Sequence, residues 1–347
     1  MILGLESLDS KRRRSVDRGS DLVDGAPGTT FSLSAALERA SNRNLPNCLS
    51  IAVTSALKHL REGCFQRSLC LIVATTSVAS GLEVGYEHYK GSYSNPVMYT
   101  PVALSGLLAG AGLAGALSRK AARTGLRWVS IATLADGIVG FLFHVRGVAR
   151  KPGGWSLPVT NIVMGPPIFA PLLFGTSAYL GLMASYLRRE EDLREVAGQL
   201  ASWVEARSSG WRTDLRYGRF QKHLSAVTVL WALFSGFEAL YSHYKTNFRY
   251  KAEWTPVVLA PLLMAAGAGA IKSRRVANTL LPAVSSLALA DGAIGFFYHA
   301  RGIGRRPGGV EKPLYNTLYG PPIFAPLLFA ACGFLGLMAS LLRRERR

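Results

Sequence analysis

The 347-residue chain is 49% hydrophobic and 18% charged, with a mean hydropathy of +0.20, whereas soluble domains carry about 25% charged residues. Its 40 Lys and Arg against 21 Asp and Glu give a formal net charge of +19. The basic residues gather beside long apolar stretches, where the positive-inside rule places them, so the charge speaks for membrane flanks and against nucleic acid as a partner.

Residues 1–47 hold Lys11, Arg12, Arg13 and Arg14 followed by Ser, Gly, Asp and Thr, with no apolar core of a signal peptide. They read as a disordered tail, and 48–64 as a short amphipathic helix. An internal repeat begins at 65: a shift of 155 residues lays 65–190 on 220–345 without a gap. GPPIFAPLLF stands at 165–174 and 320–329, and LGLMAS at 180–185 and 335–340. Agreement of this length reads as a tandem duplication.

Each copy holds four apolar stretches, near 68–86, 101–117, 128–144 and 166–187, then 223–241, 256–271, 281–299 and 321–342. About 20 helical residues cross a hydrocarbon core of about 30 Å. The fold predicted is therefore all-α: a polytopic membrane protein of eight transmembrane helices, built as two tandem four-helix repeats. A soluble helical core is the competing reading, but eight such stretches leave almost no polar face. An even number of spans per copy brings the second copy in from the same side as the first. The repeats are then related by a pseudo-two-fold along the membrane normal.

Local signals refine this picture. Thr100-Pro101 and Thr255-Pro256 read as N-cap plus first-turn proline of the second span. Gly165-Pro166-Pro167 and Gly320-Pro321-Pro322 read as openings of the fourth span, with Pro171 and Pro326 kinking it one turn in. Gly106, Gly110 and Ala114, with Ala265 and Gly269 in the second copy, form a ridge of small residues suited to close helix packing. The connector 191–219 carries Leu193, Val196, Leu200 and Val204 at helical spacing, as an amphipathic cytoplasmic linker would. Lys and Arg concentrate on the side of the termini. This predicts a multi-pass protein of the plasma or inner membrane with both termini cytoplasmic.

The costly residues repeat and lie towards the opposite face. The first span ends in GLEVGYEHYK (81–90), matched by GFEALYSHYK (236–245), which pairs Glu83 and His88 with Glu238 and His243. The third span reads ADGIVGFLFHVRG (135–147), matched by ADGAIGFFYHARG (290–302), which pairs Asp136 and His144 with Asp291 and His299. Asp136 lies eight residues, about 12 Å, deeper than His144, near mid-membrane, where a charge costs at least about 2.5 kcal/mol. The loops that follow repeat RGxxRxPGG, with Arg146 and Arg150 matched by Arg301 and Arg305, and then Asn161 matched by Asn316. They read as ordered caps whose arginines are candidates for an anion.

Three functions fit these residues. Histidines with a carboxylate on the same helix suggest a redox subunit holding b-type haem or a divalent metal. There, Gly81, Gly137 and Gly140 admit the ring and the cap arginines meet propionates. Parallel repeats with intramembrane acids and proline-interrupted spans suggest an ion-coupled secondary transporter. The caps alone suggest a membrane anchor or scaffold for an extracytoplasmic protein. No GxSxG or HExxH motif marks an enzyme. Cys48, Cys64, Cys70 and Cys332 make neither a disulfide framework nor a CxxC site.

Overall fold

The computed structural model describes residues 54–193 and 210–345. The tail 1–47, the start of the segment 48–64, and Val196, Leu200 and Val204 of the connector lie outside the described residues. A short helix α1 (54–61) precedes α2 (Gln66–Lys90), α3 (Thr100–Leu117), α4 (Arg127–Ala149), a small cap helix α5 (Pro158–Val163) and α6 (Ala170–Ala184). After the connector come α7 (Trp211–Arg216), α8 (Gln221–Lys245), α9 (Thr255–Lys272), α10 (Leu280–Gly304), the cap helix α11 (Pro313–Leu318) and α12 (Ala325–Leu341). There is no strand among the described residues, apart from one isolated bridge between Arg219 and Arg343.

Six helices are long and apolar enough to cross a membrane: α2, α3 with its lead-in, α4 with its lead-in, α8, α9 with its lead-in, and α10. Their most apolar windows are only 17–39% buried. Leu71, Val78, Leu107, Leu113, Leu142, Leu262, Leu287 and Phe297 all face outwards. An apolar exterior on this scale is not tolerated in water, and a bilayer supplies the missing apolar surroundings. The protein is an integral membrane protein of α-helices.

The eight long spans expected from the sequence are thus six, plus two shorter apolar helices of 15 and 17 residues, α6 and α12. Consecutive prolines are the reason. A residue before proline avoids the α region, so Pro166-Pro167 and Pro321-Pro322 run as non-helical chain and the helices open only at Ala170 and Ala325. Pro171 and Pro326 fall in the first turn, where the missing N–H costs nothing, and they kink neither helix. These two short helices are the most enclosed: Leu173 to Leu180 is buried without a break. α6 packs on α2 and α4, α12 on α8 and α10, and α6 also meets α8.

Two other local expectations change. Thr100 and Thr255 do not cap, because a 3₁₀ turn runs straight into each helix and makes the threonine its first residue. Gly106 and Gly110 face open space instead of a neighbouring helix. The close approach of α3 to α2 uses the other face, at Gly112, where an added Cβ would stand 2.9 Å from the Cys70 carbonyl.

At the end opposite the caps the chain folds back on itself. The Gln66 amide donates to the Arg188 carbonyl (3.1 Å) and the Arg188 amide to Gly63 (3.0 Å). Gln221, Arg343 and Gly218 make the same pair of bonds at 3.1 and 3.0 Å. Glu190 accepts from the Arg67 and Ser68 amides that open α2, and Glu345 from the Lys222 and His223 amides that open α8. Between these junctions Gly63 and Gly218 touch, both at positive φ (70° and 68°). A Cβ on Gly63 would lie 2.5 Å from the Gly218 nitrogen, and one on Gly218 would lie 2.8 Å from the Gly63 nitrogen.

Candidate functional site

Helical spacing puts Glu83, Tyr86 and Lys90 on one face of α2, and Glu238, Tyr241 and Lys245 on the matching face of α8. Each face looks across to the helix that follows the other Pro-Pro segment. Glu83 accepts the Phe324 amide at the mouth of α12 (3.1 Å) and the hydroxyl of its own Tyr86 (2.7 Å). Glu238 accepts the Phe169 amide at the mouth of α6 (2.6 Å) and the Tyr241 hydroxyl. Unpaired N–H groups at a helix start favour a carboxylate, and burial between helices makes the bond more valuable. Each half therefore supplies the carboxylate that closes the fourth helix of the other half. Beside one of these contacts the ring of Phe234 stacks on Phe169, and that of Phe237 meets it edge-on.

One turn towards the caps, Lys90 sits over the Tyr86 ring at 5.8 Å and Lys245 over the Tyr241 ring at 5.4 Å. Lys90 is ion-paired to Glu87 at 3.1 Å. Lys245 has no ion-pair partner among the described residues, and the charges that act on it are first Glu238 on its own helix, then Glu87 and Lys90 on α2 and Lys151 in the first cap. The two ladders thus converge on a common mouth.

No family model matches the sequence, and neither a curated protein nor a solved structure matches the chain.

The histidines lie apart from the glutamates. Residues five apart on a helix point about 140° away from each other, so Glu83 turns to the other half while His88 turns within its own. His88 Nδ1 is 2.7 Å from the Met98 carbonyl, His144 Nδ1 is 2.5 Å from Pro167, and His299 Nδ1 is 2.6 Å from Pro322. A carbonyl only accepts, so Nδ1 carries a proton in these three. His243 differs: its Nδ1 is 3.9 Å from the Glu253 carboxylate. Asp136 accepts from Thr100 at 2.6 Å, and Thr255 faces Asp291 in the same way. Because Thr100 opens α3, the Asp136 carboxylate is level with one end of that helix, not with its middle.

A haem does not fit between these residues. The glycines expected to admit the ring are already filled by protein: a Cβ on Gly81 would be 2.7 Å from Ser105, on Gly137 2.8 Å from the Pro171 carbonyl, and on Gly140 3.0 Å from the Pro171 ring. Gly292 and Gly295 meet Pro326 in the same manner. Nor do three His, Cys, Asp or Glu side chains gather as a metal site among the described residues. Cys64 is buried, and burial pushes its thiol up to about 11, so it is a protonated core residue.

The caps are tied down by their asparagines. Asn161 donates to the carbonyls of Pro152 (3.0 Å) and Gly154 (2.7 Å), and Asn316 to Pro307 (3.3 Å) and Gly309 (2.8 Å). Arg146, Arg150, Arg301 and Arg305 are exposed, and their guanidinium groups have no hydrogen-bond or ion-pair partner among the described residues. The α5 cap helix packs on α8, and α11 on α2, so the caps also reach across to the opposite half. Tyr86, Tyr241, Lys90 and Lys245, which the two repeated strings also share, join the site beside the glutamates. Their i, i+3, i+7 spacing from the glutamates was the signal that placed them there.

Proposed function

We propose that the chain is a proton-coupled membrane carrier with Glu83 and Glu238 as its coupling groups. In this reading a tandem duplication produced two four-helix halves related by a pseudo-two-fold along the membrane normal. α6 and α12 are the central, shortened spans, which makes eight crossings. Both termini are cytoplasmic and the caps face outwards across the plasma or inner membrane. The observation that carries the reading is the exchange of carboxylates: two acids held inside the helical bundle, each bonded to the start of a short apolar helix in the opposite half. An ionisable group in such a place is expensive unless it is used, and helix starts at the interface between two halves are where carriers hold their charged cargo. Protonation of either glutamate turns a strong charge-assisted bond to the Phe amide into a weaker neutral one. The relation between the halves then depends on the proton.

The experiment is a distance measurement between the caps. Spin labels at Leu157 and Val310, both exposed, with Cys48 replaced by serine, are read by double electron–electron resonance in liposomes between pH 5 and pH 8. Two distance populations that exchange with pH, collapsing to one in the Glu83→Gln, Glu238→Gln double variant, are expected. A single distance at every pH overturns the carrier reading and leaves an anchor, for which the unpartnered cap arginines would be the docking groups.

A further inference from the structure

In the second half an acid and an indole line one groove with no cation on either. The groove holds about 470 Å³ of free space between α9 and α10, and its lining includes Trp254, Val258, Leu287, Ala290, Asp291 and Ile294. That volume lies within the range of small-ligand sites, about 300–1,000 Å³. Val258, Leu287 and Ile294 are exposed, so the groove opens onto the lipid-facing exterior. No charged side chain among the described residues acts on Asp291. Its hydrogen-bond partner is Thr255, whose hydroxyl also lies 2.8 Å from the Ala252 carbonyl, and a single proton cannot serve both acceptors. Phe248 stacks on the Trp254 indole at 3.9 Å, yet Trp254 stays 48% exposed. None of the described lysines or arginines faces that ring, whereas Arg212 faces Trp211 at 5.2 Å.

We infer that this groove binds an alkylammonium cation, its head between Asp291 and Trp254 and its chain along Val258 and Leu287. A carboxylate in apolar surroundings is costly until a counter-charge reaches it, and an indole attracts an ammonium group without needing a hydrogen bond. Leu287 lies one helical turn, about 6 Å, further from the caps than Asp291, which gives the chain an apolar path into the lipid. A bare metal ion is a poor occupant, because Asp291 is a single carboxylate and no three His, Cys, Asp or Glu side chains gather among the described residues. The first half keeps Tyr99, Thr100 and Asp136, but Ala103 and Ala132 stand where Val258 and Leu287 build the walls. The site therefore belongs to the second half. The inference does not rest on the carrier reading.

The full-length protein in phosphatidylglycerol nanodiscs is photolabelled with octyltrimethylammonium carrying a diazirine in its chain, and separately with the uncharged octanol of the same chain. Adducts are mapped by peptide mass spectrometry. The ammonium probe should mark the segments 254–262 and 284–294, and excess unlabelled octyltrimethylammonium should suppress the marking. The octanol probe should mark them about tenfold less. Asp291→Asn removes the charge and keeps the shape, while Ala290→Phe keeps the charge and fills the groove. Each should cut the labelling about tenfold, with an unchanged size-exclusion profile as the check on folding, and Asp136→Asn should leave it within twofold. Equal labelling by the two probes, which needs no variant, overturns the inference, as does labelling that Asp291→Asn leaves unchanged. Phosphatidylcholine nanodiscs, whose headgroups carry the same trimethylammonium group, separate a free cation from a lipid. There the excess of labelling over the Asp291→Asn variant should persist, and its loss assigns the groove to the headgroup and overturns the inference. Labelling at these segments together with a single cap-to-cap distance at every pH sustains the site and rejects the carrier.

Discussion

Where the two halves face each other, the residues of the carboxylate exchange recur, whereas their aromatic neighbours do not: Phe234 and Phe237 stand where the other half has Ala79 and Leu82. Glu83, Tyr86 and Lys90 have their counterparts in Glu238, Tyr241 and Lys245, and Gly63 meets its own counterpart Gly218. A short distance away, the position beside the first-span histidine is Met98 in one half and Glu253 in the other. His88 therefore bonds a main-chain carbonyl while His243 faces a carboxylate. On the outward face of the second span, Gly106 and Gly110 stand opposite Pro261 and Ala265. The end opposite the caps diverges as well: Arg119 grips Asp192 with two bonds in the first half, whereas the corresponding positions of the second are Arg274 and Arg347. A contact made across the interface constrains both partners at once, because a change in either disturbs it. A contact made with lipid constrains neither.

The largest effects should come from breaking the shared interface. Glu83→Ala and Glu238→Ala each strand a helix-opening amide and a tyrosine hydroxyl, and each should cost roughly 3 kcal/mol of stability in detergent. The corresponding glutamine variants keep an accepting oxygen and should cost about 1 kcal/mol. Similar values for the two members of each pair are expected, and a difference of several-fold would mean that only one half depends on the exchange.

Next come the touching glycines. Gly63→Ala and Gly218→Ala each place a Cβ against main chain at a left-handed φ, at a cost of about 2 kcal/mol or more. Thermal unfolding of the two variants should show matching losses. A tolerated alanine at either position would show that the junction can separate without penalty.

The smallest effect sharpens the difference between the halves. Partial burial raises the Asp192 carboxyl, but the bonds and charge of Arg119, the Arg189 amide and the Arg188 charge outweigh it and hold the group below the usual carboxylate range. A depressed acid contributes stability that is present above its unfolded value, about 3.9, and lost as pH falls through its folded value. Asp192→Asn should therefore lose under about 1 kcal/mol near pH 7, with the gap to the original protein closing towards pH 3. A gap that is unchanged by acid would assign the loss to packing instead of charge.

Much of this architecture was legible in the sequence, because hydropathy and the 155-residue shift depend only on local residue types. The helical class follows from the first, and the paired motifs from the second. The partners of the site residues were not legible. Glu83 was grouped with His88 because they are close in the chain, yet the residue it bonds is Phe324, 241 positions away. Helical geometry already set Glu83 and His88 on different faces, but it does not say which face meets another half. The fourth spans came out short for a reason the sequence did contain, since Pro166-Pro167 bars the helix from starting there. The ridge at Gly106 and Gly110 failed because small residues permit close packing without requiring it.

Amide hydrogen exchange in the two glutamate variants tests the exchange of carboxylates most directly. Glu83→Ala should speed deuterium uptake in the segment 320–327 and leave 165–172 near its original rate, and Glu238→Ala should do the reverse. A crossed pattern of that kind is what reciprocal capping predicts. Faster uptake within the same half as the substitution, or equal uptake in both segments, would contradict it.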